Sequence, residues 1–93
     1  MSDIDAVRGR IDAIDAALVR LLNARAACAQ EIGRLKAACG MPVYQPAREA
    51  EVLENVKRAN VGPLSHEAMA RLFERIVDEA RRLERHRGQD EGR

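Results

Sequence analysis

Apolar residues in the first forty positions recur at alternating intervals of three and four. Ile4, Val7, Ile11, Ile14, Leu18 and Leu21 lead to Arg25, and Cys28, Ile32 and Leu35 follow. This is a heptad-like seam over about five repeats, interrupted once by Arg25, and it predicts one long helix. Ser2 or Asp3 can cap its start, and Asp3 and Asp5 suit the positive end of the helix dipole. Gly40 followed by Met41 and Pro42 ends it. A second stripe, Val52, Leu53, Val56 and Ala59, follows Pro46, which fits a first helical position, and stops at Asn60, Gly62 and Pro63. A third face holds Met69, Leu72, Phe73, Ile76, Val77, Ala80 and Leu83. Ser65 caps it, and Glu67 lies in its first turn. No run alternates with the period of a strand. The expectation is an all-α chain of three helices: a helical domain over residues 1–88 and a frayed polar tail over 89–93.

Length sharpens this picture. A helix reaching Gly40 would be roughly 55 Å long, whereas a compact globule of 93 residues is only ~32 Å across. Such a helix cannot be buried inside its own chain. Its seam needs a partner, and the simplest is a second copy.

Composition then excludes several classes. An apolar fraction of 46% is too high for a disordered chain. A net charge of +1 gives little pull toward nucleic acid or anionic membrane. No apolar run approaches the ~18 residues of a membrane span, and no charged-then-apolar start marks a signal peptide. The expected compartment is the cytoplasm. Cys28 and Cys39, 11 residues apart on one helix, would lie about 16 Å apart, too far for a disulfide. With His66 and His86 they make no ligand spacing, so no metal site is expected.

The informative residues are ionisable groups on apolar stripes. Arg25 sits in the seam, and Lys36 lies 11 residues on, about 20° round the helix and roughly 16 Å away, so the two can bracket a small anion. The plainer reading is that Arg25 snorkels or pairs with an acid across a dimer. Arg8 lies about 42 Å along the helix from Lys36, so it can serve the same site only from an antiparallel partner. Arg48 and Glu49 prolong the second stripe, and Glu84 ends the third. Singly, each reads as a helix-end charge. Together they put cations and carboxyls on all three buried faces, which suits a small polyanion such as a dicarboxylate. No nucleophile has a paired base, so any chemistry rests on electrostatics and positioning. Arg81, Arg82, Arg85, His86 and Arg87 form a basic cluster that reads as a solvated face complementing the helix dipole. With so few aromatics to stack bases, a plain coiled-coil or nucleic-acid-binding role is disfavoured.

These residues resemble a known family, the all-helical (type II) chorismate mutases, in their bacterial homodimeric class. The resemblance rests on Arg8 with Ile11 to Asp15, Leu21 to Arg25, Ile32 to Lys36, Pro42 to Glu49 and Leu72 to Ile76, and it covers residues 4 to about 85. It implies an intertwined homodimer with two sites, each taking Arg8 from the partner chain. It implies that Arg8 and Arg25 pair the two carboxylates of chorismate, with Arg48 supporting. Lys36 would donate to the ether oxygen whose bond breaks, and Glu49 would accept from the ring hydroxyl. Gln45, Ala80 and Glu84 complete the implied site, with Lys36, Glu84 and Arg25 as its catalytic groups. The implied reaction is a pericyclic rearrangement to prephenate, without cofactor or covalent intermediate.

Three positions depart from the family pattern. Gln45 replaces a usual aspartate, Ala80 a common serine, and Glu84 the glutamine of bacterial members. An ionised Glu84 has no proton to give the ether oxygen, so it is expected to work as the neutral acid, a form that burial beside apolar neighbours favours. The alternatives are an isochorismate-pyruvate lyase of the same fold, and a weakly active regulatory module partnering another shikimate-pathway enzyme.

Overall fold

A computed structural model describes residues 2–91, and side chains as far as residue 86. Three helices follow in order: α1 over Asp3–Cys39, α2 over Pro46–Ala59 and α3 over His66–Glu91. The helix ends follow from local chemistry. Ser2 caps α1, its hydroxyl accepting from the Asp5 amide at 3.2 Å. At the other end Gly40 takes the left-handed conformation (φ 72°), and the Gly40 and Met41 amides both turn back to the Lys36 carbonyl. Pro46 opens α2 where a missing N–H costs nothing. Asn60 closes α2, its side chain donating to Leu64 O at 2.9 Å and accepting from the Gly62 amide at 3.2 Å. Ser65 caps α3 by accepting from Ala68 N at 3.0 Å. The third helix continues past Gly88 to Glu91, into the segment whose composition suggests fraying; positions 92 and 93 lie outside the described residues.

Helix α3 packs against both other helices, whereas α1 and α2 do not pack directly on one another among the described residues. The approach of α3 to α1 is set by two small residues one turn apart, Ala29 and Gly33, the buried residues of α1. A Cβ added at Gly33 would lie 3.0 Å from Glu84 Cα and 3.2 Å from its carbonyl oxygen. Glycine here lets the α3 backbone sit against α1, and that contact fixes Glu84 over the helix bearing Lys36.

The chain measures 56 × 31 × 14 Å with a radius of gyration of 16.7 Å, well above the ~12 Å of a compact globule this long. A thickness of 14 Å is little more than one helix with its side chains. The apolar residues of the α1 seam are correspondingly exposed: Ile4 62%, Ile14 59% and Leu21 66%, with Val7, Ile11 and Leu18 near half. No helix is long and apolar enough to cross a membrane among the described residues.

Candidate active site

The second half of α1, the start of α2 with the loop before it, and the second half of α3 enclose a cleft of about 500 Å³. Of the residues singled out in the sequence, Arg25, Lys36, Gln45, Arg48, Glu49, Ala80 and Glu84 all line it. Arg8 does not: it is exposed on the first half of α1.

Lys36 is the best-fixed cation. Its ammonium donates to Val43 O at 2.9 Å and to Glu84 Oε2 at 3.1 Å, with the two side chains 14% and 12% exposed. The loop after α1 thus closes over Lys36 and holds it toward α3. Glu84 faces the cleft as the acceptor of that ammonium. Gln45 turns back to its own loop, donating to Pro42 O at 2.9 Å. Arg48 reaches the mouth and pairs with Glu51 on the same helix. Arg25 is half-buried against the cleft and has no ion-pair partner among the described residues.

One functional residue escapes a reading of the sequence. Arg81 falls in one run with Arg82, Arg85, His86 and Arg87, which reads as a solvated basic face, and for Arg81 the structure corrects this. Arg82, Arg85 and His86 are exposed, and the Arg87 side chain lies outside the described residues. Arg81 instead turns into the cleft and grips Glu49 with both arms of its guanidinium, Nε to Oε2 at 3.0 Å and a terminal nitrogen to Oε1 at 2.7 Å. Its guanidinium carbon lies 5.1 Å from the centre of the Tyr44 ring, and Asp78 adds an ion pair at 3.3 Å. The hydrogen bond to Glu49 is the main cause that holds this guanidinium above its ordinary range, against partial desolvation. The available signal is spacing: Arg81 lies four residues after Val77 and three before Glu84, on the apolar stripe rather than behind it.

Four cations and two carboxylates therefore line the cleft. The pairs Lys36–Glu84 and Arg81–Glu49 are internally neutral. That leaves the charges of Arg25 and of Arg48, whose partner Glu51 does not line the cleft, facing the space. Cys28, Ile32, Val52 and Val77 supply an apolar floor, and Cys28 and Cys39 are free thiols. The arrangement defines a class: an all-helical domain whose cleft sets fixed charges over an apolar floor, with no base positioned on a nucleophile among the described residues.

Comparison with known proteins names that class. Residues 7–85 match the model of the family chorismate mutase type II. The chain belongs to that family. It is 42% identical over 92 residues to a bifunctional chorismate mutase/prephenate dehydratase of Stutzerimonas stutzeri, a match covering 90% of this chain and 25% of that protein. It is 37% identical over 82 residues to a 4-amino-4-deoxychorismate mutase of Streptomyces pristinaespiralis, covering 87% of this chain and 64% of that one. The chain thus spans about a quarter of the length of the bifunctional relative. The structure of chorismate mutase (form II) from Thermus thermophilus superposes with a TM-score of 0.88 at 37% identity, covering 90% of this chain and 96% of that chain.

Proposed function

We propose that this chain rearranges chorismate to prephenate as a homodimer with two sites, each completed by Arg8 of the second copy. The observation that carries this reading is the charge balance of the cleft. Arg25, without an ion-pair partner among the described residues, and Arg48, whose partner Glu51 does not line the cleft, leave it an excess of positive charge that suits an anionic substrate. In this reading Arg25 and the partner's Arg8 bind the two carboxylates, with Arg48 supporting. Lys36 donates to the ether oxygen, Glu49 accepts from the ring hydroxyl, and Gln45 and Ala80 contact the substrate at the rim. Glu84 gives the ether oxygen a second hydrogen bond opposite Lys36.

Catalysis then has two parts. The cations hold the flexible enolpyruvyl side chain folded over the ring, so that the two carbons to be joined are already close. Lys36 and Glu84 meet the negative charge that develops on the ether oxygen as its bond breaks. Neither part forms a covalent bond to protein or requires a cofactor. The homodimer is supported by the bare seam of α1 and the 14 Å thickness of the single chain. A cytoplasmic setting fits the two free thiols. An enzyme that consumes prephenate is a fitting partner, since relatives carry chorismate mutase and prephenate dehydratase in one protein. The Arg48–Glu49 pair, with Glu49 accepting from the ring hydroxyl in this reading, favours the mutase over a lyase of the same fold.

Loss of chorismate absorbance tests the reading. Wild type turns chorismate over and Arg25→Ala loses at least about 100-fold in kcat/KM. Full activity in Arg25→Ala overturns the pocket assignment. Glu84→Gln, whose amide can donate to the ether oxygen, keeps or raises turnover, whereas Glu84→Ala lowers it. Wild-type turnover in Glu84→Ala removes Glu84 from the role. Supplying isochorismate in parallel separates the lyase.

A further inference from the structure

Glu49 is the one carboxylate in the cleft whose two oxygens are both gripped by a single guanidinium, and that guanidinium comes from α3 rather than from its own helix. A lone glutamate facing the ring substituent of the substrate could serve a hydroxyl or an ammonium equally, and a full negative charge would favour the ammonium. Arg81 changes that balance in two ways. Its fork holds both carboxylate oxygens in one plane, leaving their outer lone pairs for a hydrogen-bond donor. Its charge offsets that of Glu49 beside the same wall of the cleft, while its second carboxylate partner, Asp78, is half exposed and does not line that cleft. The clamp is itself seated: Tyr44 lies against the guanidinium at 5.1 Å, and Asp78 holds it from the neighbouring turn of α3.

We propose that Arg81 is a positioning and specificity-determining residue, which fixes Glu49 as a neutralised acceptor and so selects substrates bearing an uncharged hydroxyl on the ring over analogues bearing an ammonium there. The inference rests on the reading of Glu49 given above and adds to it the reason this site discriminates. An ammonium placed against Glu49 also meets Arg81 behind it, and like charges brought together in a partly dry cleft are unfavourable. A hydroxyl has no such cost and keeps its hydrogen bond.

The test compares kcat/KM for chorismate and for its ring-amino analogue, 4-amino-4-deoxychorismate, in wild type, Arg81→Gln, Arg81→Lys and Glu49→Gln. Wild type prefers chorismate. Arg81→Gln lowers chorismate turnover and shifts the ratio of the two substrates about tenfold or more toward the amine. Arg81→Lys keeps the charge without the fork, so its chorismate kcat/KM falls while the ratio stays within about threefold of wild type. Glu49→Gln removes the anion and leaves Arg81, so the ratio moves the opposite way, further toward chorismate. A purely structural role for Arg81 lowers both substrates equally, and an unmoved ratio in Arg81→Gln overturns the proposal. Loss of preference in Arg81→Lys equal to that in Arg81→Gln overturns the charge argument. If Arg81→Gln fails to fold, Arg81→Met, which also removes the charge, is read by the same ratio, and an unmoved ratio there overturns the proposal. Wild type turning over neither substrate defeats the chorismate mutase reading itself, whereas activity on chorismate with an unmoved ratio defeats only the role of Arg81.

Discussion

Ile4 to Leu22 and Arg25 to Lys36 belong to one helix and one seam, yet the chain treats them differently. In the first stretch the seam positions are apolar and stand bare, with Ile14 at 59% and Leu21 at 66% exposure. In the second the seam carries Arg25 and leads to Lys36, and α3 lies over Ala29 and Gly33 between them. The seam itself stays bare in both stretches, with Ile32 at 44% and Leu35 at 59% exposure, and what differs is the stripe beside it: only in the second stretch does α3 cover Ala29, Gly33 and Lys36. On the proposed reading the bare seam serves association and the covered stripe serves a ligand.

The hardest blow to this contrast falls on the bare half. Leu18→Glu puts a charge in the middle of the seam, and an unpaired charge buried in an interface costs about 3–5 kcal/mol. At tenfold per 1.4 kcal/mol, dimer affinity falls by about a thousandfold, and the activity that needs the partner's Arg8 falls with it. Sedimentation equilibrium and chorismate turnover, measured on the same samples, follow both. Leu18→Glu that remains dimeric with full turnover shows that the seam is not the interface, and the two halves of α1 would then need another explanation.

How far this is readable from residues alone differs between the halves for a physical reason. The helices, their caps at Ser2, Gly40 and Ser65, and the excess length of α1 follow from short-range chemistry, and the sequence carries them in full. Lys36, Glu49 and Glu84 stand out because a charge on an apolar stripe breaks a regular pattern. Arg81 does not, because it sits in a run of basic residues, and its bond to Glu49 spans 32 positions of sequence. Its spacing from Val77 is the one local hint, and the packing of α3 on α2 and the ring of Tyr44 show that this member of the run turns inward. The closeness of α3 to Gly33 is likewise hidden: a glycine in a helix reads as a modest cost until a neighbouring backbone is found against it.

That glycine gives the next test, aimed at the covered half. Gly33→Val puts a branched side chain where even a Cβ would lie 3.0 Å from Glu84 Cα. The obstacle is backbone, so α3 must move as a body, and overpacking of this kind costs about 1–3 kcal/mol. Thermal unfolding at fixed protomer concentration reads the loss. Turnover falls further than stability alone explains, because Glu84 and Lys36 are 3.1 Å apart only while the two helices touch. Gly33→Val with wild-type stability and turnover would mean that α3 does not depend on this contact.

The smallest effect, and the one that sharpens the comparison most finely, lies at Gly9. It is two residues from both Val7 and Ile11, so it faces about 160° away from the seam. A Cβ added there meets nothing within 4 Å. If only the seam side of this half is covered by a second chain, Gly9→Ala gains the helix preference of alanine without a clash. It then stabilises by about 0.5–1 kcal/mol, a rise of a few degrees in melting temperature. Dimer affinity and turnover stay unchanged, since neither the seam nor the cleft is touched. Destabilisation by Gly9→Ala would carry the opposite message. The same substitution type would then behave at position 9 as a larger one does at position 33, because a backbone lies against each, and the partner would have to wrap around α1 rather than lie along one stripe of it.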